Sequence, residues 1–473
     1  MARNVRWVLV FALICLVPCA GQARAADSIR TVQLRVTAAP EPRYALQHLL
    51  ETPYEEQRPR NAALLYHTAV SQMMYTNSGK YGIDRDTLYK WHRSAVGDLP
   101  VEEVRAAIAR FRHTFQYLDA GAQSERCTWE YPVREDALHY VMPQLGEYRA
   151  LARLVSIKAR LEAHEGDFGA ALKTLRSGIC LGRDLGAGPS FVQHLVGVGV
   201  AAITAREIEG VIQETEAPNL YWALTVLRRP LVDPRSSLQM ESASVYDLLP
   251  EMRTIEETVL TNEQVMVLWK RAAAMFGPTD DPGQWLDHVR DLTSTMGLYP
   301  RAKAHLIQHG YAAETVEAWP ALYAILVHQH QEFRAVRDLA FKWGYVPYAQ
   351  AWEGLRNGEL AMSGLWKHSH GSVLANPLAG FMPALYRIRF LGTRLERDIA
   401  MLRCVEAIRM YAAEHEGKLP GSLAEISKVP IPIDPVHGRA FGYQLRDGKA
   451  IIESPVPPDG GPKDGLRYEI TLR

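Results

Sequence analysis

The residues with the most chemical potential are histidines at helical spacing. His305 and His309 stand four apart, which puts two imidazoles on one helical face, as a metal site would need. Leu306 follows His305 where a metalloprotease helix carries glutamate. His309 directly precedes Gly310, and an imidazole at a helix end also serves simply to meet the last carbonyls and the negative pole of the helix. The run His328-Gln329-His330-Gln331-Glu332 is denser. On a helix, His328 and Glu332 share a face while His330 turns to another side. His328, His330 and Glu332 are therefore metal-ligand candidates only if His368 or His370 adds a further donor. The preferred reading is a solvated helix face, and no metal or cofactor is assigned.

Other chemistry is thinner. Cys127, two residues before Trp129, could act as a nucleophile with His139 as its base, since a reactive thiol needs a partner that favours thiolate. A packed cysteine is the preferred reading. Gly197-Val198-Gly199-Val200-Ala201-Ala202 satisfies G-x-G-x-x-A, but a dinucleotide site needs a strand before it and a helix after it. Phe191 to Glu209 reads instead as one helix with small residues on a packing face. No nucleophile elbow, S-x-x-K or phosphate-binding P-loop occurs. The paired acids Glu256-Glu257 and Asp280-Asp281 are adjacent rather than facing. Asp459 and Asp464, in a Gly/Pro-rich loop, are two carboxylates where calcium wants six to eight oxygens. No catalytic residue is named.

The elements that would position these residues are mainly helical. Val101 to Leu118 follows Pro100 and carries Glu102 and Glu103 in its first turn. Thr261-Asn262-Glu263-Gln264 resembles a capping box before Val265, Leu268, Trp269 and Ala272 on one face. Thr315 to Gly344 reads as a long amphipathic segment with Pro320 near its start. Turn signals stand at Gly186-Ala187-Gly188-Pro189, Asp280-Asp281-Pro282-Gly283 and Asn376-Pro377. Strand-like alternation is expected only in the last fifty residues.

The 473 residues carry 53 Lys+Arg against 53 Asp+Glu, which gives no electrostatic case for nucleic acid. Arg3 and Arg6, the apolar run Trp7 to Val17 and Ala23-Arg24-Ala25 form a signal-peptide pattern. The run is shorter than the roughly 20 residues that span a bilayer. The expectation is export to the periplasm or cell envelope, with cleavage after Ala25 and no integral membrane span afterwards. Cys127, Cys180 and Cys404 would remain. A Cys127–Cys180 pair is one option, and three small buried side chains the preferred one.

In Ala152 to Leu181, the residues Ala159, Gly166 and Ala171, with Gly166-Asp167-Phe168 at the turn, stand at tetratricopeptide (TPR) spacing. Pro383 to Glu416 reads as one long helix, with Leu385, Ile388, Leu391, Leu395, Ile399, Leu402 and Val405 on a stripe and Gly417 as its stop. Phe441 to Leu445 and Lys449 to Ile452 flank Arg446-Asp447-Gly448 as a hairpin, and Arg467 to Leu472 supplies a third antiparallel strand. The fold class is therefore mainly α: a helical hairpin array, partly TPR-like, followed by a small α+β unit. The expected divisions are a signal peptide at 1–25, a TPR-like array at 26–240, a helical domain at 241–382 and the α+β unit at 383–473.

Two resemblances follow from particular residues. Ile408 to Pro420, followed by Ser422-Leu423 and Ile433-Asp434-Pro435-Val436-His437-Gly438, resembles the globular half of type II secretion pseudopilins. The helix here carries Arg387, Arg389, Arg394, Glu396, Arg397 and Asp398, unlike a pilin's membrane-inserted helix, so the resemblance implies a borrowed fold. The remainder resembles an uncharacterised secreted family of planctomycete bacteria. That likeness is carried by Cys127-Thr128-Trp129, Leu151-Ala152-Arg153-Leu154, Pro218 to Leu224, Val316 to Pro320, Lys342-Trp343 and Val346-Pro347-Tyr348; it implies architecture and export without supplying a reaction.

The functional expectation is an exported, non-enzymatic protein–protein interaction or scaffold protein of the cell envelope. Its partner would be a protein, and the concave face of the 44–240 array would bind it. The alternatives are a metal-dependent hydrolase built from distant residues, or an accessory component of a secretion or pilus-like machine.

Overall fold

Helices dominate because apolar residues recur at helical spacing and capping residues fall at their starts. The computed structural model describes residues 29–79, 82–95, 98–130, 144–276, 295–368, 378 and 385–473. The signal segment 1–25, His139, His370 and the turns at 280–283 and 376–377 lie outside these residues, as does the side chain of His368. The chain divides into two compact units. One contains residues 29–130, 144–237 and 388–473, and the other Leu238–Arg387. The C-terminal segment shares a core with the first array.

The first unit is built around three antiparallel helices, Leu145–His164, Phe168–Gly186 and Phe191–Val211. Gly166, at φ +82°, makes the turn between the first two, and Asp167 caps the second by accepting from Ala170 N. The second and third helices cross with backbones almost touching. A Cβ on Gly197 would lie 2.2 Å from Gly186 N, so only glycine fits. Among the described residues, Phe191–Val211 is the one helix long and apolar enough to cross a membrane, and 67% of that window is buried inside the protein.

The sheet corrects the sequence reading. It has four strands rather than three, in the order Arg30–Val36, Leu466–Leu472, Lys449–Ser454, Gly442–Arg446. The first two pair in parallel, with Val32 opposite Tyr468 and Leu34 opposite Ile470, and the rest are antiparallel. Leu34, Val36, Ala450, Ile452, Leu466, Tyr468 and Ile470 are buried, giving the apolar-in, polar-out alternation of a sheet covered on one face. The hairpin turn falls at Asp447-Gly448, both with positive φ, as a type I′ turn demands. The N-terminal strand was missed although its sequence, Thr31-Val32-Gln33-Leu34-Arg35-Val36, does alternate.

The long helix runs Leu385–Glu414, with Gly417 at φ +76° beyond it. Its apolar stripe is buried except for the half-buried Leu391, and so are Arg397, Asp398, Arg403, Glu406 and Arg409. Arg409 donates to Thr37 O at 2.9 Å, Ala217 O at 2.7 Å and Glu406 Oε1 at 2.9 Å. Glu406 in turn accepts from Leu220 N at 2.8 Å. Asn219 donates to the backbone oxygens of Glu406 and Ala39. This network ties the helix to the N-terminal segment and to the Pro218–Leu224 stretch, satisfying charges that would otherwise be costly inside.

Two of the expected helices are also divided. Val101 to Leu118 breaks at Phe111 into Val101–Arg110 and Arg112–Ala122. Thr315 to Gly344 is interrupted at Pro320, which starts the helix Ala321–Phe341 after a short Ala313–Ala318 turn of helix. Proline lacks an N–H and holds Trp319 extended, so one helix cannot pass through. The capping box of Asn262–Phe276 forms as read: Gln264 N donates to Thr261 Oγ1 at 3.2 Å, and Thr261 N to Gln264 Oε1 at 2.8 Å. Val265, Leu268, Trp269 and Ala272 enter the second unit's core with Leu306, Val316 and Tyr323.

Candidate functional site

In the second unit, helix Tyr299–Gln308 lies against Ala321–Phe341 and brings the histidines together. His305 stacks on His309 with ring centres 3.9 Å apart, and His328 lies 4.4 Å from His305. His309 Nδ1 lies 2.8 Å from His305 O, so it meets a helix-end carbonyl. His328 and Glu332 share a face, at 3.5 Å, but Arg301 takes the Glu332 carboxylate at 2.7 Å. His330 points elsewhere, toward Glu256 at 3.2 Å and the Tyr246 hydroxyl at 3.3 Å. His328, His330 and Glu332 therefore do not converge on one point. Among the described residues no group of three or more His, Cys, Asp or Glu is placed to hold a metal ion.

Electrostatics give this cluster a different character. Burial pushes His330 down to about 4, with Glu256 opposing the shift and Arg334 adding to it. Burial also lowers His328, against the pull of Glu332, and lowers His305 with help from His309. These imidazoles are neutral near pH 7. Chemically, the arrangement can accept protons on acidification but holds none in reserve to donate.

The nucleophile candidate fares no better. Cys127, Cys180 and Cys404 are free thiols. Burial raises Cys127 and Cys180, and pushes Cys404 up to about 12, so none presents thiolate. The Cys127-Thr128-Trp129 stretch is a fastening: Trp129 Nε1 donates to Asp184 O at 2.8 Å, and Asn61 Oδ1 accepts from Thr128 N at 2.9 Å. Asp464 meets Arg394 at 3.5 Å and accepts from Gly461 N, so its carboxylate is engaged within the loop. Gly197 and Gly199 lie inside a helix, as read from the sequence, and not at a strand-to-helix turn.

A site that the linear sequence hides lies in the first unit. Helix Arg85–Arg93, capped by Asp84, buries Leu88 and Trp91, leaves Tyr89 and Arg93 exposed one turn apart, and holds His92 half-buried beside Leu88. It packs on helix Leu145–His164, which carries Arg149, Arg153 and Arg160 along one stripe. Arg160 is fully engaged: it grips Glu207 through two bonds, at 2.7 and 2.6 Å, and donates to Trp91 O, His92 O and Ser94 O.

The other arginines are not engaged in this way. Arg93 and Arg153 both stand over the Tyr89 ring, at 5.3 and 5.6 Å. Arg149 lies over Gly199, where a Cβ would be 3.7 Å from its Nε. Burial and the Arg153 charge lower the Arg149 guanidinium. His92 is pushed down to about 4 by burial and then by Arg160, Arg153, Arg206 and Arg93 around it. Arg93, Arg149, Arg153 and Arg206 have no carboxylate partner among the described residues. Nearby acids are committed elsewhere, Glu147 to Arg85, Glu207 to Arg160 and Glu209 to Arg30.

The sequence reading missed this face because its arginines come from three helices separated by many residues. The usable signal was Arg149, Arg153 and Arg160 at helical spacing. What the face can do is bind negative charge. Compared with protein-family models, curated proteins and solved structures, the chain matches none.

Proposed function

We propose that the chain is a non-enzymatic interaction protein of the cell envelope, which holds a protein partner on its first helical array. The single observation supporting this reading is the group Arg93, Arg149, Arg153 and Arg206, which gathers positive charge without a carboxylate to balance it. Unbalanced charge at a partly exposed face costs stability, so a binding role gives it a reason. Stacked helix pairs supply the extended surface such a role needs. The export half of the reading rests on the signal-like residues 1–25. The TPR-like reading rests on the Leu145–His164 and Phe168–Gly186 pair and its Gly166 turn. The pseudopilin-like reading of 383–473 rests on the long helix and on the Asp434–Gly438 turn, where Gly438 N donates to Asp434 O.

Affinity capture from an envelope extract tests the proposal, with the partner identified by mass spectrometry and its complex remade from purified proteins. A partner that binds in near-equal amounts supports it. It fails if no protein is retained beyond a control protein of equal charge.

A further inference from the structure

We infer that the arginine face is the docking surface for an acidic, extended peptide segment of the partner, its side-chain carboxylates supplying the negative charge that the protein itself withholds. The inference rests on the interaction reading above and names the chemistry of the partner.

The first support is geometric crowding. Two guanidinium groups share the Tyr89 ring, at 5.3 and 5.6 Å, and His92 has four arginines around it. Like charges at this spacing repel, and of these arginines only Arg160 is paired with a carboxylate among the described residues, that of Glu207. Arg160 shows the contrast within the same fold. Where the protein needs an arginine for its own structure, it provides Glu207 and three carbonyls.

The second support is the form of the donors. Arg93 gives one N–H to the Tyr89 hydroxyl, at 3.4 Å, and the other donors of a guanidinium placed over a ring form a planar fork that matches a carboxylate. Arg93 and Arg206 are exposed, and Arg149 and Arg153 are half-buried, so a ligand can reach them.

The third support is extent. Arg149 and Arg153 are one helical turn apart, about 6 Å along the axis, and Gly199 beneath Arg149 is seven residues from Arg206, about 10 Å. In an extended peptide, alternate side chains point the same way at about 6.6 Å spacing. Acidic residues two apart would therefore match the Arg149–Arg153 step, and an extended segment reaches on to Arg206, whereas one small anion would cover only part of the face.

The test uses the full chain and a fluorescent peptide of alternating glutamate and alanine, read by anisotropy. Expected are saturable binding that weakens with added salt and a loss of tenfold or more in affinity for Arg149→Gln/Arg153→Gln. The control Arg446→Gln, on the exposed hairpin, should leave affinity unchanged. Should the double variant fold poorly, the exposed pair Arg93→Gln and Arg206→Gln carries the same expectation. Absence of saturable binding, or equal affinity in the face variants and the control, overturns the inference. So does displacement by inorganic phosphate where sodium chloride of equal ionic strength has no effect, which would mark a site for one small anion. Tighter binding of a single-stranded oligonucleotide of equal charge overturns it as well. A captured partner that the face variants still hold would defeat this inference while leaving the interaction reading intact.

Discussion

The carboxylate of Glu406 and the guanidinium of Arg409 meet at 2.9 Å with neither side chain exposed to solvent. They are three residues apart on one helix, and their remaining bonds reach Thr37, Ala217, Pro218 and Leu220. Removing one partner strands the other charge inside. Glu406→Ala should therefore cost about 3–5 kcal/mol, measured by urea unfolding. Glu406→Leu with Arg409→Met should cost less than the two single changes added together, because the double change leaves no charge uncompensated. Full additivity would mean that the two groups do not act as a pair.

Acid should weaken the second unit through its histidines. His330 titrates at about 4 when folded, against 6.5 ordinarily, so the unfolded chain takes up the proton first as pH falls. The stability contributed by the neutral ring is present above pH 6.5 and is lost progressively down to about 4. Glu256 opposes this loss, while Arg334 and Arg337 add to it. Melting temperatures at pH 7 and pH 4.5 should differ less in His330→Gln than in the parent. An equal difference would show that His330 takes no part.

The helix crossing at Gly197 separates two substitutions on one element. Gly197→Val would press a side chain into Gly186 and Gly182, which should cost about 3 kcal/mol or prevent folding. Gly199→Ala meets only Arg149 Nε, at 3.7 Å, and should gain up to about 1 kcal/mol from helix propensity. Thermal unfolding followed by circular dichroism distinguishes them, and a similar effect of both would contradict the close approach.

Leu34 and Leu64 offer a test of the N-terminal strand. Leu34 is fully buried, whereas Leu64 is 70% exposed. Leu34→Ala should destabilise by about 2–5 kcal/mol, and Leu64→Ala should stay within about 0.5 kcal/mol of the parent. Denaturant midpoints settle it: matching values would mean that the strand does not sit in the core.

What could be read from the sequence was local. The capping box at Thr261, the stripe on the long helix and the Asp447-Gly448 turn each depend on residues a few positions apart, where spacing alone decides the contact. The break at Phe111 had no signal, since neither proline nor glycine marks it. The N-terminal strand alternates clearly, but its partner lies more than 400 residues away, and no short-range turn announces the pairing. The histidines are a mixed case. Their helical phase correctly separated His328 from His330, yet nothing in it could place His305 beside His328. The arginine face lies furthest from such reading, because Arg93, Arg153 and Arg206 become neighbours only once three helices have packed.

The parallel pairing of Arg30–Val36 with Leu466–Leu472 also sets an order of events. On a chain made from its N-terminus, strand Arg30–Val36 emerges more than 400 residues before Leu466–Leu472 and cannot find that partner until the whole span between them has followed. Its apolar side chains, Val32, Leu34 and Val36, must wait through that interval, and closing so large a loop is slow. Local helical hairpins such as 145–186 can form early; the sheet comes last. The first unit is therefore sealed as a single late step, and a chain cut short before residue 466 leaves residues 30–36 as an unpaired, partly apolar edge open to the wrong partner.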